Sequence, residues 1–238
     1  MGRGSQRRTQ SSIGTGAMAD NGIPTLLSSS EIAELRRVLS GDRFASYLRA
    51  AGGDAAKAIE LHAWNTMVSG AFYGPLQMVE LALRNAVHDH LSAAHGRQWL
   101  GNRQILRENE MRRVDDAREQ VKRQRKRLTP GRVVAELSFG FWVSLFARRY
   151  DALWNAQLNQ AFSPVMKRKD LYDKLAELRD LRNRIAHHEP IHGLPLADLH
   201  DSILWVLERI SPVAAVWVSR HSRVPTILGD PERSHDRF

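Results

Sequence analysis

The sequence predicts an all-α fold, and three observations carry the prediction. Apolar residues recur at spacings of three and four from Ser30 to about Arg220. No run alternates apolar and polar residues with the period of two that a half-buried strand requires. Serine, threonine, aspartate, glycine and proline stand where helices start and stop. With 238 residues, 42% of them hydrophobic, the chain is long enough to bury a sizeable core.

The elements follow in order. Residues 1–28 are rich in Gly, Ser, Thr and Arg and nearly free of large apolar side chains, which predicts a disordered basic tail. Residues 29–220 read as a single all-α domain. Ser28, Ser29 and Ser30 offer N-caps for a first helix on Ile32, Leu35, Val38 and Leu39, with Gly41 as its stop. A second helix covers about Arg43 to Ala51 and closes at Gly52 and Gly53. Asp54 caps a long stretch through His62, Trp64, Met67, Phe72, Leu76, Val79, Leu83, Val87 and Leu91. An interruption is expected in it near Gly70 to Pro75, where the proline starts a new helix or kinks the first.

The segment Gly101 to Leu128 concentrates the basic residues. Thr129 and Pro130 then open what reads as one apolar helix on Val133, Val134, Leu137, Phe139, Phe141, Trp142 and Leu145, the expected central core element. Tyr150, Leu153, Trp154 and Phe162 continue the apolar pattern to Pro164. A helix on Leu171, Leu175, Leu178, Leu181 and Ile185 runs from about Lys169 to His187. A last pair spans Pro195 to Ile210 and Pro212 to Arg220, and residues 221–238 are expected to be a loose tail. All six tryptophans fall on apolar stripes and read as core.

Composition narrows the function. Lysine and arginine number 35 against 26 aspartates and glutamates, a formal charge of +9, so an anionic partner is expected and nucleic acid leads the candidates. The absence of cysteine excludes disulfides, thiolate metal sites, iron–sulfur clusters and a cysteine nucleophile. No segment approaches the roughly 18 apolar residues that span a bilayer. The N-terminus lacks the apolar region of a secretory signal, and Gln6 stands where N-myristoylation needs Ser or Thr. A cytoplasmic protein without membrane attachment is the expectation.

One constellation carries chemistry. The helix from Lys169 ends in Arg182, Asn183, Arg184, Ile185, Ala186, His187, His188, Glu189 and Pro190, an R-x4-H arrangement with Asn directly after the Arg. An Arg and a His suffice to cleave RNA with its own 2′-hydroxyl. The imidazole moves a proton at the 2′- or 5′-oxygen, and the guanidinium fork takes the growing charge on the phosphate. Positions five apart point about 140° from each other on a regular helix. Either the helix loosens at the histidines or a second subunit completes the site.

Arg182, Asn183 and His187 resemble the R-x4-6-H signature of the HEPN-superfamily ribonucleases. The surroundings resemble the Abi-like abortive-infection family within it: Trp64 and Asn65; Glu80, Leu83, Arg84 and Asn85; Gly96, Trp99 and Leu100; the run Val133 to Trp142; and Tyr150, Leu153 and Trp154. The likeness covers about Ser30 to Ser219. It implies a HEPN-like helical bundle with additional N-terminal helices, dimerised so that two motifs share a cleft and cut RNA with no metal or other cofactor. It also implies a toxin-type defence role, with an antitoxin or phage-derived product as regulator. On this basis Arg182 stabilises the phosphate, His187 is the acid or base, and Asn183 orients. His188 would make the motif R-x5-H, and the choice between the histidines stays open.

Glu80 and Arg84 are one helical turn apart and are expected to pair, or Arg84 lines the RNA cleft; Arg84 and His90 form a second R-x5-H. Lys122, Arg123, Arg125, Lys126 and Arg127 are either phosphate contacts along a strand or a solvated helix face. His188, Glu189 and His192 spell H-E-x-x-H, with His200 the nearest further ligand. A zinc site of that kind needs an unbroken helix, which Pro190 and Gly193 oppose. A non-catalytic RNA-binding or protein-interaction module is the alternative function, and a DNA-binding regulator the third.

Overall fold

The described residues open on a capping box. The Ser28 hydroxyl accepts from the Glu31 N–H, and the Glu31 carboxylate accepts from the Ser28 N–H at 2.8 Å. This begins α1 (Ser29–Leu39) in a computed structural model that describes residues 27–164 and 166–229. These residues hold eleven α-helices, a few short 3-10 turns and no strand, so the protein is all-α as its periodicity predicts. No helix among them is long and apolar enough to cross a membrane.

Gly41 does not stop α1. The reversal falls on Ser40, at φ +64°, and Gly41 is the first residue of α2 (Gly41–Ala50). That backbone region is sparsely populated by any residue with a side chain. Gly52 and Gly53 end α2 with positive φ, as expected.

Asp54 caps α3 (Ala55–His95), accepting from the Ala56 and Lys57 N–H groups. The expected interruption at Gly70 to Pro75 is absent, and α3 runs through it for 41 residues. Proline within a helix costs about 3 kcal/mol. Each large apolar side chain buried along the same helix returns about 1.5–3 kcal/mol, and α3 buries Leu61, Val68, Phe72, Leu76, Val79, Leu83, Val87 and Leu91 among others. Burial wins, and α3 becomes the axis against which α1, α2 and most later helices pack.

The basic helix is α4 (Glu108–Arg123), attached by Met111, Val114, Ala117 and Val121. The single apolar helix expected next is two: α5 (Pro130–Glu136) and α6 (Phe139–Ser144), separated by extended backbone at Leu137 and Ser138. One straight helix buries one stripe. Breaking it lets Val133, Val134, Leu137, Phe139, Phe141, Trp142 and Leu145 all enter the core.

After α7 (Asp151–Ala156) come α8 (Arg168–Ala186), α9 (Leu196–Ile210) and α10 (Pro212–His221). The chain then departs from the loose tail expected after residue 220. α11 (Val224–Gly229) packs on α3 and α9 with Val224 and Ile227 buried, two apolar residues a turn apart that suffice to dock it. Of the tryptophans, Trp64, Trp99, Trp142 and Trp154 are buried, Trp205 is half-buried under Arg209, and Trp217 is half exposed on α10.

Candidate functional site

Leu171, Leu175, Leu178 and Leu181 bury one stripe of α8. That stripe leaves Arg182, Asn183, Ala186 and His187 on the exposed side and at the end of the helix. His187 is the C-cap. His188 follows at φ +56°, its N–H bonded to the Ile185 carbonyl, while the Glu189 N–H reaches back to the Arg184 carbonyl at 2.8 Å. This pair of bonds is a Schellman closure, with histidine in the left-handed position that glycine ordinarily fills.

The chain past the histidines is anchored to α3. The buried side-chain oxygen of Asn65 accepts from the Ile191 and His192 N–H groups, and Arg184 donates to the Pro190 carbonyl. His187, His188, Glu189 and Pro190 thereby form one wall of a cleft of about 1030 Å³. Its other walls come from α1 and α2, with Ser40, Asp42, Arg43 and Tyr47, and from α3, with His62 and Thr66. Burial pushes the His62 imidazolium to a lower pKa than histidine's ordinary value.

Arg182 opens elsewhere. It borders a smaller hollow of about 170 Å³ with Tyr73, Leu76, Gln77, Glu80 and Ile185. Its Nε lies 3.9 Å from a Glu80 carboxylate oxygen. The structure thus places Arg182 and His187 on the same helix but on different hollows, in keeping with five residues of helical rotation. Glu80 faces Arg182 and not Arg84 as the sequence suggested, because the helix packed alongside brings a cation to it. Arg84 is half-buried, with its Nε hydrogen enclosed and without a hydrogen-bond partner.

Lys122, Arg123, Arg125, Lys126 and Arg127 are all exposed. Lys122 pairs with Glu119, and Arg125 takes a left-handed conformation that closes α4 as His188 closes α8. None of them lines the cleft of His187.

The H-E-x-x-H string begins after α8 has ended, so its histidines lack the helical spacing that zinc binding needs. His200 sits buried on α9, where its Nε2 hydrogen-bonds the Ser222 hydroxyl. Among the described residues no group of three or more His, Asp or Glu side chains is placed to hold a metal ion.

Two features escaped the sequence. Arg43 and His62 join the histidine cleft from elements more than a hundred residues away, with no sequence signal beyond His62 itself on an apolar stripe. Glu110, on α4, is fully buried, where it accepts from Ser144, Arg149 and Tyr150. Burial pushes its carboxyl pKa up, but these hydrogen bonds and the Arg149 charge outweigh burial and hold it below the ordinary value. Tyr150 is pushed up to about 12 by burial and by its bond to Glu110.

No family model, no curated protein and no solved structure matches this chain.

Proposed function

We propose that this chain is a metal-independent endoribonuclease of the HEPN type, acting as a homodimer in a toxin-type or abortive-infection defence role in the cytoplasm. The observation that supports it most is that Arg182, Asn183 and His187 are all exposed over the last turn and the C-cap of α8, a helix otherwise held by four buried leucines. Side chains of that chemistry on a rigid helix, in a chain of formal charge +9, suit a phosphodiester substrate. In the reaction the 2′-oxygen bonds to phosphorus as it loses its proton, and the P–O5′ bond breaks as the 5′-oxygen gains one. His187 handles one of these protons and Arg182 neutralises the phosphorane oxygens.

Because Arg182 and His187 border separate hollows in one chain, the reading calls for a second copy to complete the pair. Tyr73, 68% exposed beside Arg182, supports a docking face there. A defence role implies restraint by an antitoxin or a phage product. The same separation of Arg182 from His187 favours the second reading, an RNA-binding or protein-interaction module that does not cut.

Incubation with labelled total RNA and transfer RNA in excess EDTA decides between them. The enzyme cleaves and leaves 2′,3′-cyclic phosphate ends, while equally folded Arg182→Ala and His187→Ala proteins bind RNA without cutting it. RNA left intact by the wild type and both variants rejects the enzyme, and equal cleavage by all three rejects the motif.

A further inference from the structure

The cleft at the end of α8 surrounds His187 with groups that the pairing of Arg182 and His187 leaves out. Arg43 comes from α2, His62 from α3, and His187 and His188 from the turn after α8. Three segments distant in sequence thus put one permanent cation and three imidazoles around one space of about 1030 Å³. Such convergence is what a bound anion requires, and a core needs none of it.

We propose that this cleft is a phosphodiester-binding site within a single chain, in which Arg43 holds the phosphate and His62 and His187 are the base and acid of strand cleavage. The cleavage roles rest on the ribonuclease reading above; the binding of phosphate does not.

The surroundings of each group fit its role. His62 is half-buried, its ring edge-on to Tyr47 with centroids 5.0 Å apart. Burial alone shifts its proton affinity, downward, so the ring is neutral and ready to accept a proton near pH 7. His187 is exposed at the helix end, free to meet the leaving oxygen. The charged groups lining the cleft besides Arg43 and the histidines are Asp42 and Glu189. Set against Arg43 alone, these two carboxylates leave an excess of one negative charge, which protonation of His62 cancels, so phosphate affinity rises as pH falls past the lowered His62 value.

In the step itself His62 takes the 2′-hydroxyl proton as the 2′-oxygen bonds to phosphorus. The P–O5′ bond breaks, the 5′-oxygen takes the proton of His187, and the products are a 2′,3′-cyclic phosphate and a free 5′-hydroxyl.

Proton NMR of the histidine ring resonances in the full chain, titrated with inorganic phosphate and with a 2′-O-methyl oligoribonucleotide that lacks the nucleophile, tests the site without catalysis. Phosphate is expected to move the His62 and His187 resonances together, in one saturable transition. Arg43→Ala should weaken binding about tenfold and Arg43→Lys less. Resonances unmoved by phosphate at tens of millimolar, or moved alike in wild type and Arg43→Ala, overturn the site. For the cleavage roles, His62→Gln should remove the acid limb of the kcat/KM profile. Cleavage that depends on Arg182 with a pH profile indifferent to His62→Gln overturns those roles and leaves the ribonuclease standing. Phosphate binding without cleavage by any form rejects the ribonuclease and retains the phosphate site.

Discussion

Asn65, on the long central helix, holds Ile191 in place from 126 residues away: its side-chain oxygen accepts the Ile191 N–H at 2.8 Å and the His192 N–H at 3.1 Å. The two backbone donors belong to the segment that follows the motif histidines, so one buried amide sets where that wall of the cleft stands. Asn65→Ala leaves both donors without a partner, at a cost of about 2–3 kcal/mol. The expected result in thermal unfolding is a Tm lower by roughly 5–10 °C. A Tm within a degree of the wild type would show that water replaces the bond and that the loop is not held this way.

His188 occupies a left-handed conformation at φ +56°, which costs a residue with a side chain about 1 kcal/mol relative to glycine. His188→Gly should therefore stabilise the fold by about 0.5–1 kcal/mol in urea unfolding. It also separates the two candidate histidines. Cleavage retained in His188→Gly and lost in His187→Ala assigns the chemistry to His187; the reverse pattern assigns it to His188.

Arg182 contributes little to folding by its ion pair, since 3.9 Å to a partly exposed Glu80 carboxylate is long for a hydrogen bond and open to water. Arg182→Ala is expected to change unfolding free energy by less than about 1 kcal/mol while abolishing cleavage. A large loss of stability would make the residue structural and would remove the sequence motif from the argument for catalysis.

Buried Glu110 and Tyr150, bonded to each other and to half-buried Ser144 and exposed Arg149, give stability two pH limits. The Glu110 pKa is lowered on folding, so its contribution is present above the ordinary carboxylate value and is lost as pH falls through the lower folded value. The Tyr150 pKa is raised to about 12, so its contribution is complete below about pH 10 and is lost as pH rises toward 12. Tyr150→Phe removes the hydroxyl that bonds Glu110 at 2.6 Å and accepts from the Arg107 N–H at 3.1 Å. It should cost about 1–3 kcal/mol at pH 7 and flatten the alkaline limb of a urea-midpoint profile. An alkaline limb unchanged by the substitution would place that titration elsewhere.

If the exposed Arg123, Arg125, Lys126 and Arg127 contact a single RNA strand, neutralising all four lowers the slope of log Kobs against log salt by up to about 3. An unchanged slope in filter binding makes them a solvated surface.

The sequence by itself determined the helical class, because a spacing of three and four is a property of neighbours along the chain. The helix starts at Ser28, Asp54 and Thr129, and the helix that ends at His187, were legible for the same reason: capping is settled within four residues. Whether proline breaks a helix was not, since the local penalty at Pro75 competes with the burial of side chains by partners the sequence does not display. The same competition divided the apolar stretch after Pro130 and docked Val224 and Ile227 beyond the expected end of the domain. At the site, helical rotation alone foretold that Arg182 and His187 point apart. Only tertiary packing decided what each of them meets, Glu80 and Tyr73 for the one, Arg43 and His62 for the other. These neighbours lie on α2 and α3, far from α8 in sequence, and no local rule relates a residue to what the folded chain brings opposite it.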